Sequence, residues 1–350
     1  MNKNVKFGVI GLGRVFDTRV SDVFLNELKN SKIVAICDKN KKKLKKFQKK
    51  FNCESFLSID RFFKKDFDFV YIATESGNHY KHIYKAFINN KNVLVEKPPV
   101  LKVSELKKLD SIAKKKKLMF YVVFQNRFND SVVYLKKQIK KIRNDIVLVN
   151  LNLLWSRPQK YYSDWHGNWK MDGGVLAQQG IHYVDLLNYL LGDPVKCISV
   201  ISNKSNKLQA EDTHNSMIVY KNNLSCLASL TTSLRPKDVS ATIEIFTKNE
   251  IFRLHGLCCN KIEIIKNGSN KNFKKIEKKY SEEVPNGYGL SHKAVFQKLI
   301  DSFLFKDKES PTTAIESLST LKLVNMMYRS YEKNKWVYFK EKKVLSKLGF

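Results

Sequence analysis

The chain has 350 residues, 43% of them hydrophobic, which is long enough for two domains with hydrophobic cores. Its formal charge is +31, but the lysines are spread along the sequence without a zinc-finger or RNP-type motif, so we expect no nucleic-acid partner. No apolar run approaches the roughly 18 residues that cross a bilayer, and the N-terminus lacks a signal-peptide pattern, which predicts a cytoplasmic protein without a membrane partner.

The six cysteines show no metal-binding or disulfide pattern. They form no C-x-x-C pair and have no histidine at ligand spacing. This arrangement predicts buried, reduced thiols, with neither a metal site nor a disulfide framework.

A strand, a glycine turn and a helix open the chain. The segment VKFGVI, 5–10, is typical of a buried strand, and GLGRVF and a helical pattern follow it. In such a turn Gly11 permits the tight bend, and Gly13 lets the backbone approach a pyrophosphate at the helix N-terminus. Arg14 and Val15, which come next, belong to the same candidate cofactor-binding turn.

An acid follows the second predicted strand. The strand covers 33–37 and is followed by Asp38. A carboxylate at this place accepts hydrogen bonds from the adenosine ribose hydroxyls and repels a 2′-phosphate, so the sequence predicts NAD as cofactor, with NADP the weaker alternative. Phe16 departs from the third position of the G-x-G-x-x-G/A pattern. This departure leaves a βαβ unit without a nucleotide as the alternative interpretation.

Strands and helices then alternate as far as residue 124. The predicted strands are 67–74, 92–96 and 118–124, and the predicted helices are 41–50, 79–89 and 103–115. This alternation predicts a parallel, doubly wound sheet, whose ligands bind beyond the carboxyl ends of the strands. TESGNH, EKP and QNR fall at those ends. They supply the other candidate cofactor residues: Thr74, Ser76, Asn78, His79, Glu96, Lys97, Gln125 and Arg127.

The second half of the chain has a different pattern. Strand-like segments cluster without regular helices between them, at 146–155, 197–202, 215–220, 224–233 and 241–247. Helical patterns are predicted for 168–191 and 290–333. This organisation favours a second α/β domain after the first.

Two motifs in this order resemble those of one family. VLVEKP ends at Pro98, and DGGVLAQQGIHYVD covers 172–185. Together with GVIGLGRV, FQNRF and EDT, they resemble the glucose–fructose oxidoreductase, inositol dehydrogenase and rhizopine catabolism (Gfo/Idh/MocA) family. The resemblance implies an N-terminal Rossmann domain, 1–125, and a C-terminal α/β domain, 126–350, with a large, mostly antiparallel open sheet and its final helices, 290–333, packing back. It also implies a homodimer or a homotetramer.

The resemblance implies that two residues supply the acid–base chemistry while NAD oxidises a sugar alcohol. In the family the lysine that matches Lys97 hydrogen-bonds the developing alkoxide. His182 is the candidate proton carrier, because imidazole titrates near neutral pH. A surface Lys97–Glu96 pair and a core histidine at position 182 are the alternative interpretations. Asp185, three residues further on, is expected to orient the imidazole or the substrate.

Gln178 departs from the family pattern. Many members carry an aspartate four residues before the histidine, where this chain has Gln178, and nucleotide-sugar members often carry asparagine. This departure weakens the case for an aspartate-assisted relay. It shifts the expected acid–base work to Lys97 and His182.

The candidate substrate segment is WSRPQKYYSDWHGNWK, 155–170. Aromatic faces pack on sugar C–H surfaces and guanidinium groups bind carboxylate or phosphate, so Arg157, Tyr161, Trp165 and Trp169 are candidate substrate residues. Packing at the domain interface is the alternative for each ring. The segment resembles the subgroup that oxidises nucleotide-linked amino-sugar uronates.

A second segment, NGYGLSH at 286–292, resembles the same subgroup. The expected substrate residues are Lys97, Arg157, Tyr161, Trp165, Trp169, Gln178, His182, Asp185, Tyr288 and His292. We expect hydride transfer between a ring secondary alcohol and nicotinamide, on a UDP-N-acetylglucosaminuronate-like nucleotide sugar used in surface-polysaccharide synthesis. A myo-inositol or free-sugar dehydrogenase of the same family is the alternative enzyme. A non-catalytic NAD-binding sensor is the alternative of another class.

Overall fold

A computed structural model describes residues 4–266, 271–307 and 309–350. The chain forms two compact units. The first unit contains Met1–Val100, Ser104–Gln125 and Ser291–Leu318, and the second contains Leu101–Val103, Asn126–Leu290 and Ser319–Phe350.

A six-stranded parallel sheet forms the centre of the first unit. Its strands are β1 (Val5–Ile10), β2 (Ser31–Cys37), β3 (Glu54–Phe56), β4 (Phe69–Ile72), β5 (Asn92–Val95) and β6 (Phe120–Val122). They lie in the order β3-β2-β1-β4-β5-β6. This confirms the predicted doubly wound sheet, whose order reverses next to β1 and places a ligand crevice at the carboxyl ends of the strands.

The described residues also form α-helices. In chain order they are α1 (Lys41–Phe51), α2 (Ile59–Phe63), α3 (His79–Ile88), α4 (Val103–Lys116), α5 (Asp130–Ile142), α6 (Ile181–Leu191), α7 (Lys271–Lys279), α8 (His292–Phe305) and α9 (Leu318–Lys333). A further helix, 14–27, follows the glycine turn and contains two π-helical segments, Phe16–Val20 and Val23–Glu27. As the amphipathic pattern predicts, α1 buries Leu44 and Phe47 and exposes most of its lysines.

The core of the first unit includes the aromatic ring of Phe296, a residue from the last part of the chain. The Phe296 ring centroid on α8 lies 6.1 Å from that of Phe7, 5.0 Å from that of Phe24 and 5.2 Å from that of Tyr71. Phe7 lies on β1 and Tyr71 on β4, the two central strands. The segment Ser291–Leu318 therefore completes a core that the first hundred residues begin.

An eight-stranded, mostly antiparallel sheet forms the second unit. Its strands are β7 (Ile146–Leu154), β8 (Lys196–Ser202), β9 (Thr213–Val219), β10 (Ser225–Thr231), β11 (Ser240–Thr247), β12 (Glu250–His255), β13 (Lys261–Lys266) and β14 (Val337–Tyr338). The order is β13-β12-β11-β7-β10-β9-β8-β14, and only the β7–β10 pair is parallel. Buried residues alternate along β7, so one face of the sheet packs on the core.

Residues 168–174 are not helical, contrary to the prediction for 168–191. Gly167 and Gly173 adopt φ values of +75° and +71°, which a right-handed helix does not allow. The buried carboxylate of Asp172 accepts a hydrogen bond from the Gly167 N–H at 2.8 Å, which closes this segment into a turn. The helix begins at residue 175 and continues through a π-helical segment, Leu176–Gly180, into α6.

All six cysteines are thiols, and five of them are buried. Burial raises the pKa of the Cys37 thiol to about 12, which keeps it protonated at neutral pH. In the described parts of the chain, no helix combines the length and apolarity that a bilayer crossing requires. Within the same residues, no group of three or more His, Cys, Asp or Glu side chains is placed to hold a metal ion.

Candidate active site

The glycine turn after β1 leaves space beside Gly13. Gly11 has φ +90°, and a Cβ there would lie 2.5 Å from the Ala73 carbonyl oxygen, so the turn requires glycine. A Cβ on Gly13 would meet only that same oxygen, at 3.8 Å. The Leu12 N–H donates to Asp38 Oδ2 at 2.7 Å, which ties the turn to the end of β2. The backbone of this turn can therefore approach a phosphate closely.

The Phe16 side chain accounts for the departure from the glycine pattern. Its ring is fully buried and lies 5.0 Å from the Phe47 ring and 6.5 Å from the Tyr71 ring. The third glycine of the pattern normally allows close packing of helix on strand. Here an aromatic ring fills that space, and the helix has a π-helical turn at the same place. The departure changes the packing behind the turn and leaves the backbone at Gly13 accessible.

Glu96 and Lys97 follow β5, at the same edge of the sheet. Glu96 is only 8% exposed, and its carboxylate accepts hydrogen bonds from Tyr71 Oη at 2.8 Å and from the Lys97 N–H at 3.3 Å. Burial raises the pKa of Glu96, although the Tyr71 hydrogen bond and the Lys97 charge oppose this. The Glu96 carboxylate is therefore a buried group and not a surface one. Glu96 instead fixes the backbone at Lys97, whose side chain is partly exposed.

The His79 ring joins the loop after β4 to the loop after β5. Its Nδ1 lies 2.7 Å from the Pro98 carbonyl oxygen, and its Nε2 lies 3.0 Å from the Thr74 carbonyl oxygen. The ring is fully buried, and burial lowers the pKa of His79 to about 4. The imidazole thus holds the backbone next to Lys97, and a cofactor contact of His79 stays a prediction.

The other predicted cofactor residues of the first unit lie at the same edge of the sheet. Thr74 Oγ1 is 2.9 Å from His82 Nδ1, Ser76 is buried, and Asn78 Nδ2 donates to Glu75 at 2.8 Å. Gln125 follows β6 and is 3% exposed, and its Oε1 accepts no hydrogen bond from the residues described by the structure. A buried amide of this kind is suited to a polar ligand at that edge.

Gln178 and His182 lie on the helix that follows Gly174 in the second unit. They are four residues apart, and both side chains are partly exposed. Gln178 Nε2 donates to Tyr161 Oη at 2.9 Å, so the helix is tied to the candidate substrate segment. This contact brings together two of the side chains that the sequence predicts for substrate binding.

Asp185 and Arg127, which the sequence predicts as substrate and cofactor residues, form a buried ion pair. Arg127 donates two hydrogen bonds to the Asp185 carboxylate, at 2.7 and 2.6 Å, and Thr320 Oγ1 donates a third at 2.8 Å. The side-chain exposures are 10% for Arg127 and 1% for Asp185. Both side chains therefore have partners within the second unit, and their expected cofactor and substrate contacts stay predictions.

Arg157 is held by an acid that the sequence analysis did not identify. Its Nη1 donates to Asp238 Oδ1 at 2.9 Å, and its guanidinium lies 4.7 Å from the Trp155 ring and 5.9 Å from the Tyr161 ring. The side chain keeps 24% exposure. The charge of Arg157 is thus partly balanced, but one side of the guanidinium still faces solvent.

The remaining substrate candidates differ in their contacts and in their exposure. Trp165 stacks on His166 with ring centroids 4.0 Å apart, whereas Trp169 packs edge-on against Tyr328 at 5.1 Å. Tyr288 is a partly exposed residue of the second unit, and His292 is a buried residue, 1% exposed, at the start of α8 in the first unit. Trp169 therefore has a packing role, and Trp165 remains a candidate for sugar contact.

Two family models match this chain. The NAD-binding Rossmann fold of the oxidoreductase family GFO_IDH_MocA matches residues 5–124, and the C-terminal alpha/beta domain of the same family matches 136–339. The chain belongs to the Gfo/Idh/MocA family. This confirms the resemblance found in the sequence, and it makes the protein an NAD-dependent sugar oxidoreductase.

Several Gfo/Idh/MocA proteins are similar to this chain. The WlbA dehydrogenase from Bordetella pertussis, in complex with NADH and UDP-GlcNAcA, has a TM-score of 0.88 and 25% identity, with 97% of this chain and 99% of that chain covered. Glucose-6-phosphate 3-dehydrogenase of Bacillus subtilis is 24% identical over 265 residues, 71% of this chain and 74% of that protein. The NAD-dependent scyllo-inositol 2-dehydrogenase of the same organism is 25% identical over 203 residues, 57% of each chain.

The residues of the first unit fit NAD, the cofactor of the family. The open backbone at Gly13 and the start of the helix at residue 14 suit a pyrophosphate, and Asp38 is placed for ribose hydroxyls. The orphan Oε1 of Gln125 at the end of β6 suits an amide or hydroxyl donor. These residues lie at the ends of β1, β2 and β6, along one edge of the parallel sheet.

Some partners of the candidate residues carried no signal in the sequence. Tyr71, Asp238 and Thr320 are the buried or long-range partners of Glu96, Arg157 and Asp185. The two residues of each pair are far apart in the sequence, so no local sequence pattern predicts the contact. Glu211 lies in the EDT motif, which pointed to the family without indicating a role.

Proposed function

We propose that the protein oxidises a ring secondary hydroxyl of a nucleotide-linked uronate sugar of the UDP-N-acetylglucosaminuronate class. The observation that carries this proposal is the similarity to the WlbA dehydrogenase from Bordetella pertussis, which extends over nearly the whole of both chains. The crystal structure of that enzyme contains NADH and UDP-GlcNAcA. Bound NAD supplies the hydride acceptor. Because nucleotide-activated sugars are the building blocks of polysaccharides, we place the reaction in surface-polysaccharide synthesis.

Lys97 is proposed to bind the reacting hydroxyl. It follows β5 at the ligand-binding edge of the parallel sheet. Two buried groups hold the backbone beside it, the Glu96 carboxylate and the His79 ring. An ammonium group held in this way stabilises the negative charge that develops on the sugar oxygen as its proton leaves.

His182 is proposed to take the hydroxyl proton. Its side chain is partly exposed, which supports access to a substrate. Gln178, four residues earlier, cannot serve as an acid or base, and its amide instead donates to Tyr161. The proton transfer therefore falls to the imidazole, whose ordinary pKa lies close to neutral pH.

A substrate comparison tests this assignment. The protein would be incubated with NAD and, separately, with UDP-GlcNAcA, UDP-GlcNAc, glucose 6-phosphate and myo-inositol, while NADH absorbance is followed. We expect the highest kcat/KM with UDP-GlcNAcA and a product two hydrogens lighter by mass spectrometry. A higher kcat/KM with glucose 6-phosphate or myo-inositol would contradict the nucleotide-sugar assignment, and no turnover with any of the four would contradict it as well.

Replacing Lys97 tests its role. We expect Lys97→Ala to lower kcat by roughly 10² to 10⁴, the usual contribution of a positioned acid–base group, while the Kd for NAD changes little. Lys91→Ala is the matched control, because Lys91 precedes the same strand and its Nζ donates to the Phe67 carbonyl oxygen at 3.0 Å. Steady-state kinetics and NAD titration measure both quantities. A Lys97→Ala enzyme with normal kcat would remove this lysine from the mechanism.

A further inference from the structure

Two buried side chains cap the helix that carries Gln178 and His182. The Val175 N–H donates to the Glu211 carbonyl oxygen at 2.9 Å, and the Leu176 N–H donates to Glu211 Oε1 at 3.0 Å. The Gln178 N–H makes an intrahelical bond, to the Gly174 carbonyl oxygen at 3.0 Å. Glu211 thus satisfies two of the N–H groups that a helix leaves unpaired at its N-terminus.

Tyr328, on α9, satisfies the other two. Its hydroxyl accepts hydrogen bonds from the Gly174 N–H at 3.2 Å and the Ala177 N–H at 3.3 Å. The same hydroxyl donates to Glu211 Oε1 at 2.9 Å. Tyr328 is fully buried and Glu211 is 1% exposed, so water does not replace these bonds. The N–H groups of residues 174–177 are therefore all paired with only two side chains and one carbonyl.

The glycine at position 174 makes this contact possible. A Cβ on Gly174 would lie 2.1 Å from the Glu211 carbonyl oxygen and 2.3 Å from its Oε2. Any larger residue would displace Glu211 from the helix N-terminus. The DGG and EDT motifs, which are far apart in the sequence, thus form one structural element together with Tyr328.

We propose that Tyr328 and Glu211 are positioning residues for the sugar oxidation, because they fix the start of the helix on which Gln178 and His182 lie. The inference rests on the proposed role of His182. Without the Tyr328 hydroxyl, two buried N–H groups lose their partner, and the first turn of the helix can satisfy them only by moving. Gln178 is the first residue beyond this turn, and His182 is one turn further along the helix.

The variant Tyr328→Phe tests this proposal by removing a single oxygen atom. The ring contacts with Trp169 and His214, at 5.1 and 6.1 Å, are kept. We expect kcat to fall roughly tenfold or more, because two buried N–H groups lose their acceptor, while the Kd for NAD stays unchanged. Glu211→Gln keeps an acceptor oxygen and should retain most of the activity, whereas Glu211→Leu should lose as much activity as Tyr328→Phe.

Tyr220→Phe is the matched control. Tyr220 is also buried, and its hydroxyl donates to Asn188 Oδ1 at 3.3 Å, near the other end of the same helix. We expect this variant to lose stability but to keep the wild-type kcat. If both tyrosine variants lose activity equally, the effect is general destabilisation and the positioning role is overturned.

Two measurements that need no turnover separate this inference from the proposed function. In Tyr328→Phe, amide hydrogen exchange at residues 174–177 should be faster, and the imidazole NMR signal of His182, assigned by its loss in His182→Asn, should shift. Neither change is expected in Tyr220→Phe. If no sugar is oxidised by the wild type, the proposed function fails, but these changes would still support the positioning role. Unchanged exchange and an unchanged His182 signal would overturn it.

Discussion

The two glycines of the opening turn are required for different reasons. Alanine at position 13 would place its Cβ in open space, with the Ala73 carbonyl oxygen 3.8 Å away, so the fold should tolerate it. We expect Gly13→Ala to keep the wild-type Tm but to raise the Kd for NAD about tenfold or more, because the methyl group blocks the pyrophosphate. Thermal unfolding and NAD titration measure the two effects.

Gly11→Ala serves as the comparison for this prediction. Gly11 has a φ of +90°, and a Cβ there would lie 2.5 Å from the Ala73 carbonyl oxygen, so any side chain at this position is strained. This variant should therefore lose stability as well as NAD binding. If Gly13→Ala binds NAD as tightly as the wild type, the pyrophosphate does not lie at this turn.

The buried pair of Arg127 and Asp185 should matter for stability more than for chemistry. We expect Arg127→Met to lower the free energy of unfolding by about 3–5 kcal/mol, because it leaves a carboxylate buried without its counter-charge. The double variant Arg127→Met with Asp185→Leu should recover much of that loss. Urea unfolding measures both, and a single variant as stable as the wild type would contradict the expectation.

The same pair shows why individual side-chain roles were hard to predict. Asp185 stands three residues after His182, a spacing that suggests a functional partner on one helix face. Its actual partners, Arg127 and Thr320, lie far away in the chain, and hydrogen bonds of this kind leave no local pattern. The partners of His79 were equally unpredictable, because they are carbonyl oxygens of other loops.

Secondary structure was predicted best where the hydrophobic pattern is long. The strands β1, β4, β5 and β7 and the helices α1 and α3 agree with the prediction within a few residues. The strands β3 and β14, which have only three and two residues, were not predicted, and neither were β12 and β13. Short strands carry too few residues for a period of two to appear.

The prediction also failed at residues 168–174, where glycine conformation decides the structure. A helical pattern is visible there, but positive φ at Gly167 and Gly173 stops the helix until residue 175. Which glycine adopts positive φ depends on its neighbours in space. Here Asp172 accepts a hydrogen bond from the Gly167 N–H, and Leu348 and Tyr328 lie next to Gly173.

The cap of this helix should make stability depend on pH. Burial raises the pKa of Glu211 to about 8, from an ordinary value of 4.5, although its hydrogen bonds with Leu176 and Tyr328 oppose the shift. Between these two values the folded protein binds a proton that the unfolded chain releases. The free energy of unfolding should therefore fall as pH rises from 4.5 to about 8, and this contribution should then level off.

Glu211→Gln isolates this effect. The amide cannot titrate, so the difference in unfolding free energy between wild type and variant should change across that pH range. Other buried groups act equally in both proteins, such as His214, whose pKa burial lowers to about 3. Urea unfolding at a series of pH values measures the difference. A difference that is independent of pH would show that Glu211 is ionised when folded.

The open face of the second sheet is the surface on which we expect subunits to associate. Met217 on β9 pairs directly with Ile198 on β8 and with Leu227 on β10, so the three side chains share one face. Met217 is 39% exposed and Leu227 is 45% exposed. Exposed apolar side chains that lie side by side are typical of a protein–protein interface.

Charge introduced on this face should separate the subunits. We expect the wild type to be a homodimer or homotetramer by light scattering, and the double variant Met217→Lys with Leu227→Lys to shift towards monomer. Leu57→Lys is the control, because Leu57 is also an exposed apolar residue, 54% exposed, but lies in the first unit. A monomeric wild type would contradict the expected assembly.

The contact of Phe296 with Phe7, Phe24 and Tyr71 has a consequence for biosynthesis. Phe7 is made early, but Phe296, whose ring packs against it, is made 289 residues later. At usual translation speeds the wait is roughly 15 to 60 seconds. During that time an aromatic surface on the nascent chain is open to chaperones and to aggregation. The nucleotide-binding unit thus completes its core only after Phe296 has been made.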